Sequence, residues 1–377
     1  MKNRRGLYIL VFCLALFTCK EPFAPTIVAK NNNYLVVEGL INTGPDSTFI
    51  KLSRTTKIED KNSIKPELGA VVSVEGENNQ SYLLKDLGKG VYATSGLNLD
   101  PSKKYRLKIR TSNNNSYQSD FVETKVSPII DSLSYEVKAD GVQIYSNTHD
   151  ASNKSRYYRW EYADAWQFTA LSYSLLIAKG NAIIDRAADE QIYVCWGNGN
   201  SNNIILGNSV KLEHDVISKG PVLFIAASSE KISKKYSILV KQYVLTKEAF
   251  EFWESLKKNT ESLGSIFDAQ PSQLMGNIHN VADANEPVLG FISAGTTQQK
   301  RIFIEREKLP PTWVTKYPYE CRIDTLRGID VDRLILTHKV TVLTKVPSEE
   351  KGGYVTAPHE CADCTIRGVT KKPAFWQ

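Results

Sequence analysis

Cysteine supplies the most reactive side chains of this chain and its most telling spacing. Cys361-Ala-Asp-Cys364 is a Cys-x-x-Cys pair near the C-terminus, His359 precedes it by two residues, and Cys195 and Cys321 lie singly upstream. Three chemistries fit these residues. As disulfides, four cysteines allow three pairings, and the short spacing favours Cys361 with Cys364, which leaves Cys195 with Cys321. As a metal site, His359, Cys361 and Cys364 offer three zinc ligands, and His338 or Cys321 could supply a fourth. As a redox pair they would normally open a helix in an α/β fold, whereas this pair sits in a loop between Pro358 and Gly368.

Other catalytic spacings are absent. The chain has no Gly-x-Ser-x-Gly, His-Glu-x-x-His, Gly-x-x-x-x-Gly-Lys or Gly-x-Gly-x-x-Gly. His149, His214, His279, His338 and His359 are scattered, and the neighbours His149-Asp150 and His214-Asp215 would point to opposite faces of a strand. The expectation is a protein without catalytic residues or cofactor. A cell-envelope hydrolase with acids drawn from distant loops is the alternative.

Cys19 points to different chemistry. Lys2, Arg4 and Arg5 precede an apolar run, Leu7 to Phe17, too short for the roughly 30 Å core of a bilayer. The run ends Leu16-Phe17-Thr18-Cys19, which resembles the lipobox of bacterial lipoproteins, where the cysteine thiol takes a diacylglycerol and the freed amine a further chain. At about 0.8 kcal/mol per buried methylene, three acyl chains make a permanent anchor. Residues 1–18 are then a signal peptide, and 19–33, with Pro22 and Pro25, an extended tether. The expected location is the outer membrane, lipid-anchored, at the cell surface. Export also favours disulfides.

Removing Lys2, Arg4 and Arg5 takes 47 basic residues to 44 against 41 acidic, so no field favours nucleic acid. With 42% hydrophobic and 23% charged residues in 377, the chain has the composition of a globular protein of two or three domains. Seven short segments between Tyr34 and Thr124 alternate or run apolar between Gly, Asn, Asp and Pro, among them Ala70–Glu75 and Tyr105–Arg110. They predict an immunoglobulin- or transthyretin-like β-sandwich over 34–127, acting as a spacer or docking module. Residues 128–377 read as a larger β-rich domain with one amphipathic helix near 246–262, capped by Thr246 and ended by Gly264, its stripe of Ala249, Phe252, Trp253 and Leu256 facing the core.

One strand of that domain could bind a ligand. In Tyr157-Tyr-Arg-Trp-Glu-Tyr162 the pleat puts Tyr158, Trp160 and Tyr162 on one face and Tyr157, Arg159 and Glu161 on the other, with Trp166 following. The aromatic face is either core or a stacking platform for a glycan or peptide. Three tripeptides, Asp46-Ser-Thr48, Asp131-Ser-Leu133 and Asp324-Thr-Leu326, resemble the Bacteroidota O-glycosylation sequon and would mark exposed positions.

Several stretches together resemble a known family. Cys19-Lys-Glu-Pro-Phe23, Tyr236-Ser-Ile-Leu-Val-Lys-Gln-Tyr243, Phe252-Trp253, Gly276-Asn-Ile-His279, the Cys361–Cys364 pair and Pro373-Ala-Phe-Trp376 are similar to the DUF4249 lipoproteins of Bacteroidota. That family is commonly encoded beside TonB-dependent outer-membrane receptors. The resemblance therefore implies a non-enzymatic accessory or binding subunit of a TonB-dependent nutrient uptake system, with an autonomous glycan- or peptide-binding module as the alternative.

Overall fold

The computed structural model describes residues 33–56, 64–261, 276–346 and 353–376. Cys19, the segments on either side of it and Gly264 lie outside the described residues. The chain is mainly β, as its period-two pattern predicts.

The first unit contains β1 (Leu35–Asn42), β2 (Thr48–Arg54), the short β3 (Lys65–Pro66), β4 (Val71–Gly76), β5 (Ser81–Asp86), β6 (Val91–Thr94), β7 (Lys104–Arg110), β8 (Ser116–Ser119) and β9 (Val122–Lys125). Alternation is clear where one face is buried: Tyr105, Leu107 and Ile109 of β7 point inward while Lys104, Lys108 and Arg110 are exposed. These strands do not form the separate sheets of a sandwich. Hydrogen bonds run β1-β2-β6-β5-β4-β7-β9, and the ring closes through β20 (Ser293–Gly295), which lies parallel to both β9 and β1. Eight strands therefore form a closed circuit filled by side chains such as Leu35, Ile50, Val72 and Leu107.

The boundary expected at 127/128 falls just after β9, but the first unit is not confined to the residues before it. The first unit takes its closing strand, β19 (Ile278–Asn280) against β8, and core residues Ile278, Val288, Ile292 and Ala294 from far downstream. Without β20, β1 and β9 would each present an unpaired edge to the other.

Between β9 and β19 the chain builds most of the second unit, which the strand after β20 completes. A three-stranded sheet pairs β10 (Ile130–Lys138), β11 (Gly141–Asp150) and β17 (Asp215–Ala226). Opposite it lie β12 (Tyr157–Thr169), β15 (Val194–Asn200), β16 (Ile205–Asn208), β18 (Lys235–Leu245) and β21 (Thr297–Glu305). One core joins the two sheets, with Val142 and Ile144 from the first and Trp160, Tyr236 and Ile238 from the second. After β18 comes α1 (Lys247–Glu261), where Thr246 Oγ1 accepts from the Ala249 amide at 3.2 Å, the cap expected from sequence.

A smaller layer adds the hairpin β13 (Leu176–Lys179) and β14 (Ala182–Asp185), then β22 (Asp324–Leu326), β23 (Thr341–Val346) and β24 (Gly353–Ala357), and α2 (His359–Ala362). Its tail is bonded to the larger sheet: Val369 and Trp196 exchange backbone hydrogen bonds, and the Trp376 ring meets Trp196 and Phe303 edge-on.

One disulfide joins this layer to the larger sheet and a second lies within the layer, and together they correct the expected pairing. Cys195 bonds Cys364 and Cys321 bonds Cys361. Extended backbone at Asp363 separates α2 from the turn that follows, so the thiols three residues apart enter different cores. Cys361 packs with Leu343 and Ala357, whereas Cys364 packs with Phe168 and Ala170. Short spacing in sequence therefore does not mean adjacency here.

Two measurements check this architecture. A Cβ at Gly295 would sit 2.3 Å from the Lys125 carbonyl oxygen, so Gly295→Ala should lower the urea midpoint, costing about 1–3 kcal/mol. An unchanged midpoint would mean that β20 does not close the ring. Non-reducing peptide mapping should recover Cys195 with Cys364 and Cys321 with Cys361, and each bridge is worth about 3–5 kcal/mol in a chain-entropy account. A Cys361–Cys364 peptide would refute this pairing.

Candidate binding cleft at the junction of the two units

Strand β12 runs through the middle of its sheet, so its two faces meet different surroundings. Tyr158 and Trp160 are 0% and 1% exposed, while Tyr162 and Trp166 are half-buried against the same core. The platform reading of Tyr158, Trp160, Tyr162 and Trp166 is thereby corrected: this face is covered by the β10-β11-β17 sheet. Two of its polar atoms find partners in the core, while Trp166 Nε1 is buried without one among the described residues. Trp160 Nε1 donates to Gln242 Oε1 at 3.0 Å, and Tyr158 OH donates to buried Asp215 at 2.8 Å, so burial and that carboxylate both raise the phenol pKa.

The opposite face opens on the junction. Arg159 donates to Glu161, and its guanidinium carbon lies 3.8 Å from the centroid of the Trp253 ring on α1 and 5.5 Å from that of Tyr243 on β18. Tyr243 OH donates to the other Glu161 oxygen at 2.7 Å, and burial followed by that carboxylate raises the Tyr243 pKa. The charged pair is thus held flat against an indole and fixed by a phenol. Lys241 is opposite Glu161 in register, but Glu161 is engaged by Arg159 and Tyr243, and Lys241 has no ion pair among the described residues.

The barrel supplies the other wall. Glu38, Asp46, Ser47 and Phe49 from β1, β2 and their turn face Arg159, Tyr243, Trp253 and Phe291 across a cleft of about 560 Å³. That volume suits a small ligand or a few residues of a chain. Phe49 is 55% exposed, Glu38 pairs with Lys51 at 3.0 Å, and Asp46 accepts from Thr297 at 3.3 Å. A broader cleft of about 950 Å³, lined by Lys125, Arg156, Glu248 and Glu251 among others, lies across the Leu245 and Phe291 wall.

Sequence reasoning placed Trp253 in a core stripe and Phe49 inside a strand, and so missed both as cleft residues. The available signal was Arg159 and Glu161 alternating with core aromatics. A charged face opposite a buried one on an interior strand must open on a polar space or on partners.

The remaining candidates lie apart. His359 Nδ1 is 2.7 Å from Thr341 Oγ1 and its Nε2 2.8 Å from the His338 carbonyl oxygen. With Cys361 and Cys364 in separate disulfides, the His359, Cys361 and Cys364 metal set and the redox pair are both corrected. His149 faces Asp131 at 2.8 Å, whereas Asp150 caps the following turn. Burial works against the Asp150 carboxylate, but bonds from Ser152, Ser155 and Lys154 outweigh it and hold its pKa at about 2. Ser47, Ser132 and Thr325 of the sequon-like tripeptides are exposed, and each is followed by a buried residue.

The two faces of β12 predict contrasting variants. Trp160→Ala should cost about 3–5 kcal/mol in urea unfolding, because it empties the core and leaves Gln242 Oε1 without its donor. Trp253→Ala should cost about 1–2 kcal/mol, the loss of a half-exposed cation–π stack. Equal losses would place Trp253 in the core and remove the cleft wall.

Comparison with known proteins names no ligand for this cleft. No curated protein matches the chain. Among solved structures, the selenomethionine-substituted chicken interferon gamma receptor alpha chain matches at 11% identity over 57% of this chain and 91% of that chain, with a TM-score of 0.15, which carries no argument. A family described as "Domain of unknown function (DUF4249)" matches residues 20–301, from the barrel to β21, and stops short of Cys361 and Cys364. The chain belongs to the DUF4249 family.

Proposed function

We propose that the protein is a non-enzymatic lipoprotein of a Bacteroidota outer membrane, held by acyl chains on Cys19, which binds its ligand in the junction cleft as an accessory subunit of a TonB-dependent nutrient receptor. The observation that carries the binding role is the Arg159, Glu161 and Trp253 arrangement. A guanidinium already stacked and paired needs little ordering when a ligand arrives, so less affinity is lost on binding. The chemistry of the cleft also favours holding over turnover. Both Glu161 oxygens accept from fixed donors, and the raised Tyr243 pKa keeps that phenol protonated rather than available as a base.

The anchor rests on Cys19 and the apolar run before it; the receptor rests on the family resemblance. A second reading is favoured by the exposed Phe49 beside Trp253, since two aromatic faces in one cleft suit a glycan or peptide bound without any receptor.

A tagged chain purified from detergent-solubilised outer membranes should bring down one large barrel protein in stoichiometric amount. Cys19→Ser should lose acyl-chain labelling. Recovery of the chain alone, with Trp253-dependent retention on an immobilised polysaccharide or peptide, would replace the accessory role with the autonomous one. Turnover of an envelope polymer, lost on one carboxylate substitution, would reject the non-enzymatic reading.

A further inference from the structure

The strands of the barrel define two ends. β1, β4, β6, β9 and β20 run one way and β2, β5 and β7 the other, so Leu35, Arg54, Val71, Asp86, Val91 and Arg110 lie at one end and Asn42, Thr48, Gly76, Thr94 and Lys104 at the opposite one. The second unit and the binding cleft lie at the Asn42 end. The chain enters at the Leu35 end, where the Tyr34 amide donates to Thr55 Oγ1 at 3.0 Å and Arg54 to the Asn33 carbonyl at 3.1 Å.

That entry end carries exposed apolar side chains. Ile64, Leu68, Val71 and Leu87 are 71%, 53%, 45% and 55% exposed, and all four belong to its loops and strand ends. β3 pairs with the end of β2, bringing Ile64 beside it, and Leu87 opens the β5–β6 turn. Around them Lys85, Lys89 and Arg110 are exposed and have no ion pair among the described residues. Of the neighbouring acids, Glu67 is neutralised by Arg54 at 2.6 Å, while Asp86 and Glu286 keep their charge and accept from the Gly88 amide at 2.7 Å and Tyr117 OH at 2.8 Å. Apolar tips ringed by unpaired cations match an anionic phospholipid surface, in which side chains enter the headgroup layer and cations meet phosphates.

We infer that this end of the barrel docks on the headgroup layer of the membrane that holds the Cys19 lipids, with Leu68 and Leu87 inserted and Lys89 and Arg110 on phosphate. The inference rests on the proposed anchor, because only an anchored chain is held at that surface. Thirteen residues separate Cys19 from Asn33, a reach of at most about 50 Å, so the tether permits this contact but does not enforce it. The patch supplies the preference. Docking in this way would hold the cleft off the membrane, with its lining on β1 running from Glu38 to Asn42, about 10 to 23 Å along the strand from Leu35 at 3.3 Å per residue.

The test uses the full acylated protein in vesicles of phosphatidylethanolamine with phosphatidylglycerol carrying a photoreactive headgroup. Flotation and the mass of the Cys19 peptide report the anchor, and mapping of cross-linked peptides reports the docking. Label should concentrate on residues 64–71 and 86–90. It should fall about fivefold in Leu68→Glu/Leu87→Glu and, separately, in Lys89→Glu/Arg110→Glu, while flotation persists. All four sites are exposed, so both variants should keep the parental urea midpoint. Acylated, floating protein labelled evenly or at the opposite end overturns the docking alone. Protein without acyl chains on Cys19 overturns the anchor and the docking with it.

Discussion

Closure of the barrel by Ser293–Gly295 is the constraint on which the rest depends. β9 and β20 are parallel neighbours, and parallel neighbours need a crossover. Here that crossover is residues 126–292, which build β10 to β18 and α1 and then β19 of the first unit. The outgoing and returning chains are bonded to each other where they pass, with the Ser127 amide donating to Thr296 Oγ1 at 3.0 Å and Ser127 Oγ to the Thr296 carbonyl at 2.8 Å. Val244 of β18 donates to Ser127 Oγ at 3.0 Å and joins the second sheet to the same knot. The two covalent passages that meet here and the hydrogen-bond cluster they share leave little freedom for a hinge. The cleft between the units is therefore preformed. Its cost is kinetic, since a ring closed by residues so distant in sequence must wait for loop closure.

The core of the second unit is rich in polar groups. Asp164 is 3% exposed and accepts from Lys231 at 2.5 Å and from Tyr236 at 2.9 Å; Gln242 bridges Trp160, Thr148 and the Pro128 carbonyl; Asp215 takes Tyr158 and Ser209. Such groups gain little net stability, because desolvation offsets most of the attraction. They do set registry. Tyr158 and Trp160 of β12 are each tied by a polar atom to a particular neighbour, so a slip of one residue would break both bonds and turn Arg159 and Glu161 into the core.

This geometry explains what was legible in the sequence. The alternation of β7 and the capping of α1 by Thr246 are local, and both could be read directly. β20 could not, because three residues carry no period and its place is set by the unpaired edges of β1 and β9, far upstream. The cysteine pairing failed for a related reason: one extended residue, Asp363, sends neighbouring thiols into cores that only the assembled fold brings near. On β12 the two faces were separated correctly, but which face was covered depended on a sheet elsewhere in the chain.

The same strand links stability to binding. Because side chains on β12 alternate, Trp160 on the core side and Arg159 and Glu161 on the cleft side hang from consecutive backbone units whose positions are fixed by ladders to β18 on one side and to β15 and β16 on the other. Movement of the cleft pair relative to Tyr243 would require movement of the whole sheet, since Tyr243 is paired in register with Arg159 on β18. Trp253 is the exception, reaching the site from α1, whose buried anchors are Ala249, Phe250 and Phe252. Adaptation to a ligand therefore falls to the helix, while charge placement belongs to the sheet. Selectivity among ligands would then follow the position of α1 and the barrel turn bearing Asp46 and Phe49, the parts of the cleft wall that no ladder ties to β12.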